Sequence, residues 1–235
     1  MNQKKKTSQT IFITGAATGI GLATAKLLLS QGYNVTIFSL TKPGIHDMEI
    51  LSAIPHALVL TGNICNAMHV QKALNATIKK FGSLDVLINN AGISQKKLFK
   101  DSTAQEWDFI INVNIKGTLV VTQRALPYMH KGGLIINISS GSALHAVSHL
   151  SLYSLTKAAL LNFTQSLDKE VQKDGIRAVV VTPGSTQTSL FEKASPGKTP
   201  FYQPEDIAQV IVNTISGKQK PDKNRIVNPF KHLYR

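Results

Sequence analysis

Apolar residues along this chain fall into short, nearly unbroken runs separated by longer stretches in which they recur at helical spacing. Thr10–Thr14, Asn34–Ser39, Ala57–Leu60, Leu84–Asn89, Gly133–Ile138 and Ile176–Thr182 read as strands. Leu84–Asn89 carries hardly any polar position, the pattern of a strand covered on both faces. Helical spacing covers roughly 20–30 and 67–81, and resumes at Thr103-Ala-Gln-Glu106, a capping-box signature for a helix running to about Tyr128. A further helix carries Tyr153. Another opens with Pro204-Glu205-Asp206, and a weak strand near Arg225–Val227 closes the chain. This alternation predicts an α/β fold: one doubly wound parallel sheet of about seven strands, helices on both faces and right-handed crossovers. Ligands of such sheets bind at the carboxyl ends of the strands. No repeat, low-complexity tract or linker divides the sequence, so residues 1–235 read as one domain with 1–9 as a flexible basic tail.

Composition narrows the class. A hydrophobic content of 43% supports a sizeable core and excludes a disordered chain. No apolar stretch approaches the roughly 20 residues that span a bilayer, and the N-terminus lacks the features of a leader or transit peptide. The one cysteine, Cys65, rules out an internal disulfide and leaves no thiolate cluster, so no metal site is expected. A cytoplasmic protein is the expectation. The net charge of +13 would suit nucleic acid, an anionic membrane or phosphorylated ligands. Lys4–Lys6, Lys96, Lys97, Lys218, Lys220 and Lys231 are scattered, however, and no aromatic stripe accompanies them. Neither nucleic acid nor membrane is expected as a partner; the charge reads as a solvated surface that also favours anionic cofactors.

Two local patterns bring chemistry. Thr14-Gly-Ala-Ala-Thr-Gly-Ile-Gly21 joins the first strand to the first helix. Gly15 permits a tight turn, Gly19 lets the backbone approach a pyrophosphate, and Gly21 allows close helix packing, with Thr18 and Ile20 between them. The helix start supplies free N–H groups and partial positive charge. Tyr153 and Lys157, four apart, share one helix face. Either pattern alone has a bland reading, a turn or a surface pair, but they occur together.

With Asn89-Asn90-Ala91-Gly92, Val113-Asn114, Ser139-Ser140-Gly141 and Pro183-Gly184 in order between and after them, the sequence resembles the short-chain dehydrogenase/reductase family over most of its length. The resemblance implies a Rossmann fold and an NAD(P)-dependent oxidoreductase moving a hydride between a nicotinamide cofactor and a carbonyl or secondary alcohol. It implies that Tyr153 is the acid or base, that Lys157 stabilises the phenolate and binds ribose hydroxyls, that Ser140 orients the substrate oxygen, and that Asn114 holds a water linking Lys157 to solvent. It places Asn90, Ala91 and Gly92 beside the adenosine ribose, Pro183 and Gly184 at the nicotinamide, Thr188 on the carboxamide, and Asn63 and Ile64 at the adenine. It also makes 185–203 a loop over the substrate, and implies a homodimer or homotetramer.

Departures from the family pattern bear on the cofactor. The second strand ends in Ser39, Leu40, Thr41 and Lys42, with no carboxylate to repel a 2′-phosphate, and Ser39 and Lys42 could bind one. NADP(H) is therefore favoured over NAD(H), although the arginine of many NADP-binding members is missing. Asn63 replaces an aspartate, with a side-chain carbonyl still able to accept from the adenine amino group. Leu144, His145, His149 and Leu190 flank the expected substrate pocket, and the short 185–203 segment suggests an open site. The alternatives are a non-catalytic dinucleotide-binding or redox-sensing protein on the same fold, a nucleic-acid binder using the basic charge, and an epimerase or dehydratase on the same scaffold, which the glycine spacing suits less well.

Overall fold

The structure is a computed structural model and describes residues 8–194 and 196–229; the expected tail at 1–9 falls mostly outside them, as does Lys231. Seven strands form one parallel sheet in the order β3-β2-β1-β4-β5-β6-β7: β1 Thr10–Thr14, β2 Asn34–Ser39, β3 Ala57–Thr61, β4 Val86–Asn89, β5 Leu134–Ile138, β6 Arg177–Val181 and β7 Ile226–Val227. Every neighbouring pair is parallel, for example Ile13 opposite Ile37 on one side and Ile88 on the other. β1, β4 and β5 are buried along their whole length, as unbroken apolar runs require.

Alternate residues of the strands feed two cores. Ile11, Ile13, Ile88, Ile136 and Val181 pack on one face beneath helices α1 (Gly19–Ser30) and α8 (Pro204–Ile215). Phe12, Leu87, Ile135 and Ala178 pack on the other, beneath α3 (Ala67–Phe81), α5 (Thr118–Ala125) and α6 (Ser151–Val171). Each large side chain fully buried here contributes ~1.5–3 kcal/mol of transfer free energy. The chain order reverses between β1 and β4, leaving a crevice at the carboxyl ends of the strands.

The helix expected from Thr103 to about Tyr128 is not continuous. It begins as read, with Thr103 capping α4 (Ala104–Ile111) in a reciprocal bond with Glu106. It then widens into a π-helical turn at Asn112–Gly117, resumes as α5 and tightens at Leu126–Tyr128. The extra residue in a π turn rotates the helix beyond it, and here Asn114 points inward, fully buried. Two helices were not anticipated: α2 (Ile45–Ser52) and α7 (Ser189–Ala194), the latter within the 185–203 segment.

Candidate active site

One crevice of about 980 Å³ opens across the switch point, bordered by the turns after β1, β2, β3, β4, β5 and β6. Its floor at the glycine turn is set by close contact. Gly15 has φ +65°, and a Cβ there would lie 2.6 Å from the Ala91 Cα; a Cβ on Gly21 would lie 2.5 Å from the Asn90 amide nitrogen. The turn after β4 is thus pressed against the turn after β1, and hydrogen bonds lock the two. Thr14 Oγ1 accepts from the Asn90 and Ala91 N–H groups at 3.1 Å, and the Asn90 amide donates to the Thr14 and Gly15 carbonyls at 3.0 Å. The start of α1 behind Thr18 has no side-chain cap and no acidic residue in its first turn, so its amides and partial positive charge face the crevice.

At the other end, α6 is fastened to the sheet residue by residue. Ser139 Oγ donates to the Lys157 carbonyl at 2.7 Å, and Lys157 Nζ donates to the Ile138 carbonyl at 2.9 Å. Lys157 Nζ lies 5.7 Å from the centre of the Tyr153 ring. Ser140 Oγ accepts from the Ser142 N–H at 3.2 Å, so the turn after β5 holds it beside Tyr153. Asn114 lies beneath. Its Oδ1 accepts from the Ile93 N–H at 2.8 Å, while its amide donates to the Ile93 carbonyl at 2.9 Å and to Thr156 Oγ1 at 3.0 Å. Thr156 in turn donates to the Tyr153 carbonyl at 2.8 Å. A Cβ on Gly92 would sit 3.2 Å from Asn114 Oδ1 and 3.3 Å from Lys157 Nζ, so the glycine gives these two side chains their space.

Burial sets the charge states. It pushes the Tyr153 phenol above its ordinary range, with the Ser140 hydroxyl pulling the other way. Lys157 is 4% exposed, and loss of hydration brings its ammonium down to about 8. Near neutrality Tyr153 is therefore a neutral phenol and a proton donor.

The expected cofactor residues divide into those that face the crevice and those that build it. Gly15, Thr18, Gly19, Ile20, Ser39, Asn63, Ile64, Asn90, Ala91, Gly92, Pro183, Gly184 and Thr188 border it, together with Ser140, Tyr153 and Lys157. Gly21, Lys42 and Asn114 are not on its walls. Lys42 lies one residue beyond Thr41, which does line the crevice, and Leu40 beside it is 73% exposed. Ser39 is nearly buried, and its Oγ accepts from the Ala17 N–H at 2.9 Å, bracing the glycine turn. Asn63 Oδ1 accepts from the Cys65 N–H at 2.8 Å, so the carbonyl expected to meet the adenine already closes a turn. Thr188 accepts from the Phe191 N–H at 3.1 Å, and its methyl would meet a Cβ on Gly19 at 3.0 Å; the 185–203 segment therefore folds over the glycine turn. His145 and Leu190 line the crevice, whereas Leu144 and His149 do not.

Sequence reasoning missed Ile93, Thr156, Val147, Phe191 and Phe201. The first two act through backbone and hydroxyl bonds that leave no motif, and the others are ordinary apolar residues until the fold brings them to the crevice. Among the described residues, no group of three or more His, Cys, Asp or Glu could hold a metal ion, and no helix is long and apolar enough to cross a membrane.

Comparison with known proteins finds the same fold. The short chain dehydrogenase family profile matches residues 9–199. An uncharacterized oxidoreductase of Staphylococcus aureus (strain N315) is 32% identical over 222 residues, covering 94% of this chain and 96% of the relative. A 3-ketoacyl-(acyl-carrier-protein) reductase from Brucella melitensis, solved with NADH, superposes with a TM-score of 0.84 at 26% identity over 94% of this chain and 96% of that one. A short chain dehydrogenase from Burkholderia cenocepacia, solved with NADP, gives 0.82 at 25% identity over 95% and 97%.

Proposed function

The chain belongs to the short-chain dehydrogenase family and is an oxidoreductase, and from that premise we propose that it moves a hydride between NADP(H), in preference to NAD(H), and a carbonyl or secondary alcohol. The observation that carries this reading is the meeting of Ser140, Tyr153 and Lys157 in a crevice whose far wall is the uncapped start of α1. The crevice fits a nicotinamide dinucleotide on its own terms. About 980 Å³ is near the upper end of the ~300–1,000 Å³ usual for ligand sites, and the amides at the start of α1 suit a pyrophosphate.

When bound, the nicotinamide supplies or accepts the hydride. The rest falls to the protein. Tyr153, neutral and half-buried, donates its proton to the substrate oxygen in reduction. Ser140 donates a hydrogen bond to the same oxygen and fixes its orientation. Lys157, held by the Ile138 carbonyl, places positive charge near the phenol and favours the phenolate left behind. Asn114 contributes by holding Ile93 and, through Thr156, the turn of α6 that bears Tyr153. Burial keeps the phenol protonated, so a proton is in place for the oxygen of a bound carbonyl.

The absence of any carboxylate among Ser39, Leu40, Thr41 and Lys42 supports NADPH. Separate titrations of NADPH and NADH, read by cofactor fluorescence, should give the tighter constant for NADPH; equal constants or the reverse order would overturn that preference. Ile93, Val147, Leu190 and Phe201 add apolar surface to the crevice, which suits a carbonyl compound with a hydrophobic body.

Replacing Tyr153 with Phe tests the mechanism. Turnover of the best substrate from a carbonyl panel should fall by about 10²–10⁴, the worth of a positioned general acid, while NADPH affinity stays near that of the parent. A variant retaining most of its turnover would sink the assignment.

A further inference from the structure

The turn after β3 meets the π turn that carries Asn114, and the contact is tight in two places. Ile64 packs onto Gly117: a Cβ built on Gly117 would lie 2.5 Å from Ile64 Cδ1 and 2.8 Å from Cγ1. Beside it, the Cys65 thiol donates to the Asn112 carbonyl at 3.3 Å. Asn112 opens the π turn and Gly117 ends it, so the two contacts grip the turn at both ends with Asn114 between. A π turn disturbs the regular carbonyl-to-amide ladder, and the Cys65 thiol gives one of its carbonyls a donor from outside the helix. Burial raises the thiol above its ordinary range, which keeps it protonated and able to donate.

Gly62, Asn63, Ile64 and Cys65 also border the crevice, at the end away from Tyr153. One short turn thus faces ligand on one side and the Asn114 segment on the other. From Asn114 the contacts continue to Ile93, which lines the crevice, and through Thr156 to the Tyr153 carbonyl.

We propose that Ile64 and Cys65 are positioning residues for Asn114, so that dinucleotide filling the β3 end of the crevice steadies the π turn and, through it, Ile93 and the Tyr153 turn of α6. This rests on the reading that the crevice takes a nicotinamide dinucleotide. It predicts a coupling between a binding loop and a catalytic turn that are far apart in sequence. Gly117 is its most telling position, because it lines no part of the crevice and yet a methyl group there would force Ile64 to move.

The test uses the full chain and five variants: Gly117→Ala, Ile64→Ala, the two combined, Cys65→Ser and Cys65→Ala. Hydrogen exchange at the Ile93 amide, which bonds to Asn114 Oδ1, reports the clamp without any substrate. It is measured with and without NADPH, beside NADPH affinity and kcat. Gly117→Ala should speed exchange at Ile93 and lower kcat by about tenfold, the effect of a mid-range coupling between contacting residues, with KM for the carbonyl little changed. Adding Ile64→Ala, which removes the two obstructing carbons, should bring exchange at Ile93 back toward that of the parent. NADPH should protect the Ile93 amide in the parent and much less in Gly117→Ala. Cys65→Ser, which keeps a donor, should retain the protection that Cys65→Ala loses.

Parent-like exchange and kcat in folded Gly117→Ala, or a combined variant no better than the single one, would overturn the proposal. If Gly117→Ala does not fold, the serine and alanine variants at Cys65 decide, and equal exchange in the two would overturn it. Failure of the parent to bind NADPH or NADH would instead strike the functional reading, while Ile93 exchange in the variants would still judge the clamp.

Discussion

Lys157 holds its ammonium where water scarcely reaches it, and the folded protein bears a cost for that. The unfolded chain keeps this proton to about pH 10.5, whereas the folded chain releases it near 8. Between those values the unfolded state binds more protons, so this group makes stability rise with pH; below about 8 its full penalty applies. Urea midpoints from pH 7.5 to 10.5 should therefore climb more steeply in the parent than in Lys157→Met, with a difference in slope of at most ~1.4 kcal/mol per pH unit. Parallel curves would show that the ammonium is hydrated after all. Tyr153 and Lys157 were legible as a pair because four-residue spacing puts them on one helix face. The opposing pull of burial on the two was not, since hydration depends on what packs around α6. The same limit applies to Ser39 and Asn63, which border the crevice while their side chains also brace neighbouring turns.

Among the elements, α4 shows local sequence deciding local structure. Thr103 Oγ1 accepts from the Glu106 N–H, and the Glu106 carboxylate accepts from the Thr103 N–H at 2.8 Å. That backbone bond first, and the Lys97 ammonium second, hold Glu106 down to about 2. Its stabilisation is present above the ordinary carboxylate range and fades as pH falls through about 2. Thr103→Ala should cost about 1 kcal/mol, the usual worth of an N-cap, and lower the melting temperature by roughly 2–4 °C. An unchanged melting curve would mean that packing, not the cap, sets the start of α4. The adjoining π turn lay beyond sequence reading, since Asn112–Gly117 fits a helical pattern on both sides. It is the contacts with Ile64, Cys65, Ile93 and Thr156, all of them distant in the chain, that accompany the wider turn. The helix at Ser189–Ala194 escaped notice for another reason: six residues beside Pro196 and Gly197 are too few to show a period.

For the molecule as a whole, the basic excess gives a prediction that neither residue nor element can. A chain of net charge +13 attracts a dinucleotide carrying several negative charges. NADPH affinity should weaken as salt rises, and more steeply than NADH affinity, because the extra phosphate adds charge at the same site. Identical salt slopes would remove the argument for a phosphate contact at Ser39 and Lys42. Phe109 on α4 and Leu155 on α6 are 62% and 51% exposed, faces that a second copy would cover if the expected homodimer or homotetramer forms. Light scattering on the eluted protein should show that assembly, and Leu155→Lys should shift it toward monomer. A monomeric parent would discard it.

Periodicity and short motifs were enough for the strands, the helices, the glycine turn and the Tyr153–Lys157 pair, because each depends on neighbours within a turn or two of chain, and the parallel sheet follows from the alternation of those elements. Tertiary structure alone decided which polar side chains face the crevice and which brace it, where the Thr103 helix opens into a π turn, and how the β3 turn reaches Asn114. Those depend on groups remote in sequence competing for the same buried space and the same hydrogen-bond partners, and only the folded chain brings the competitors together.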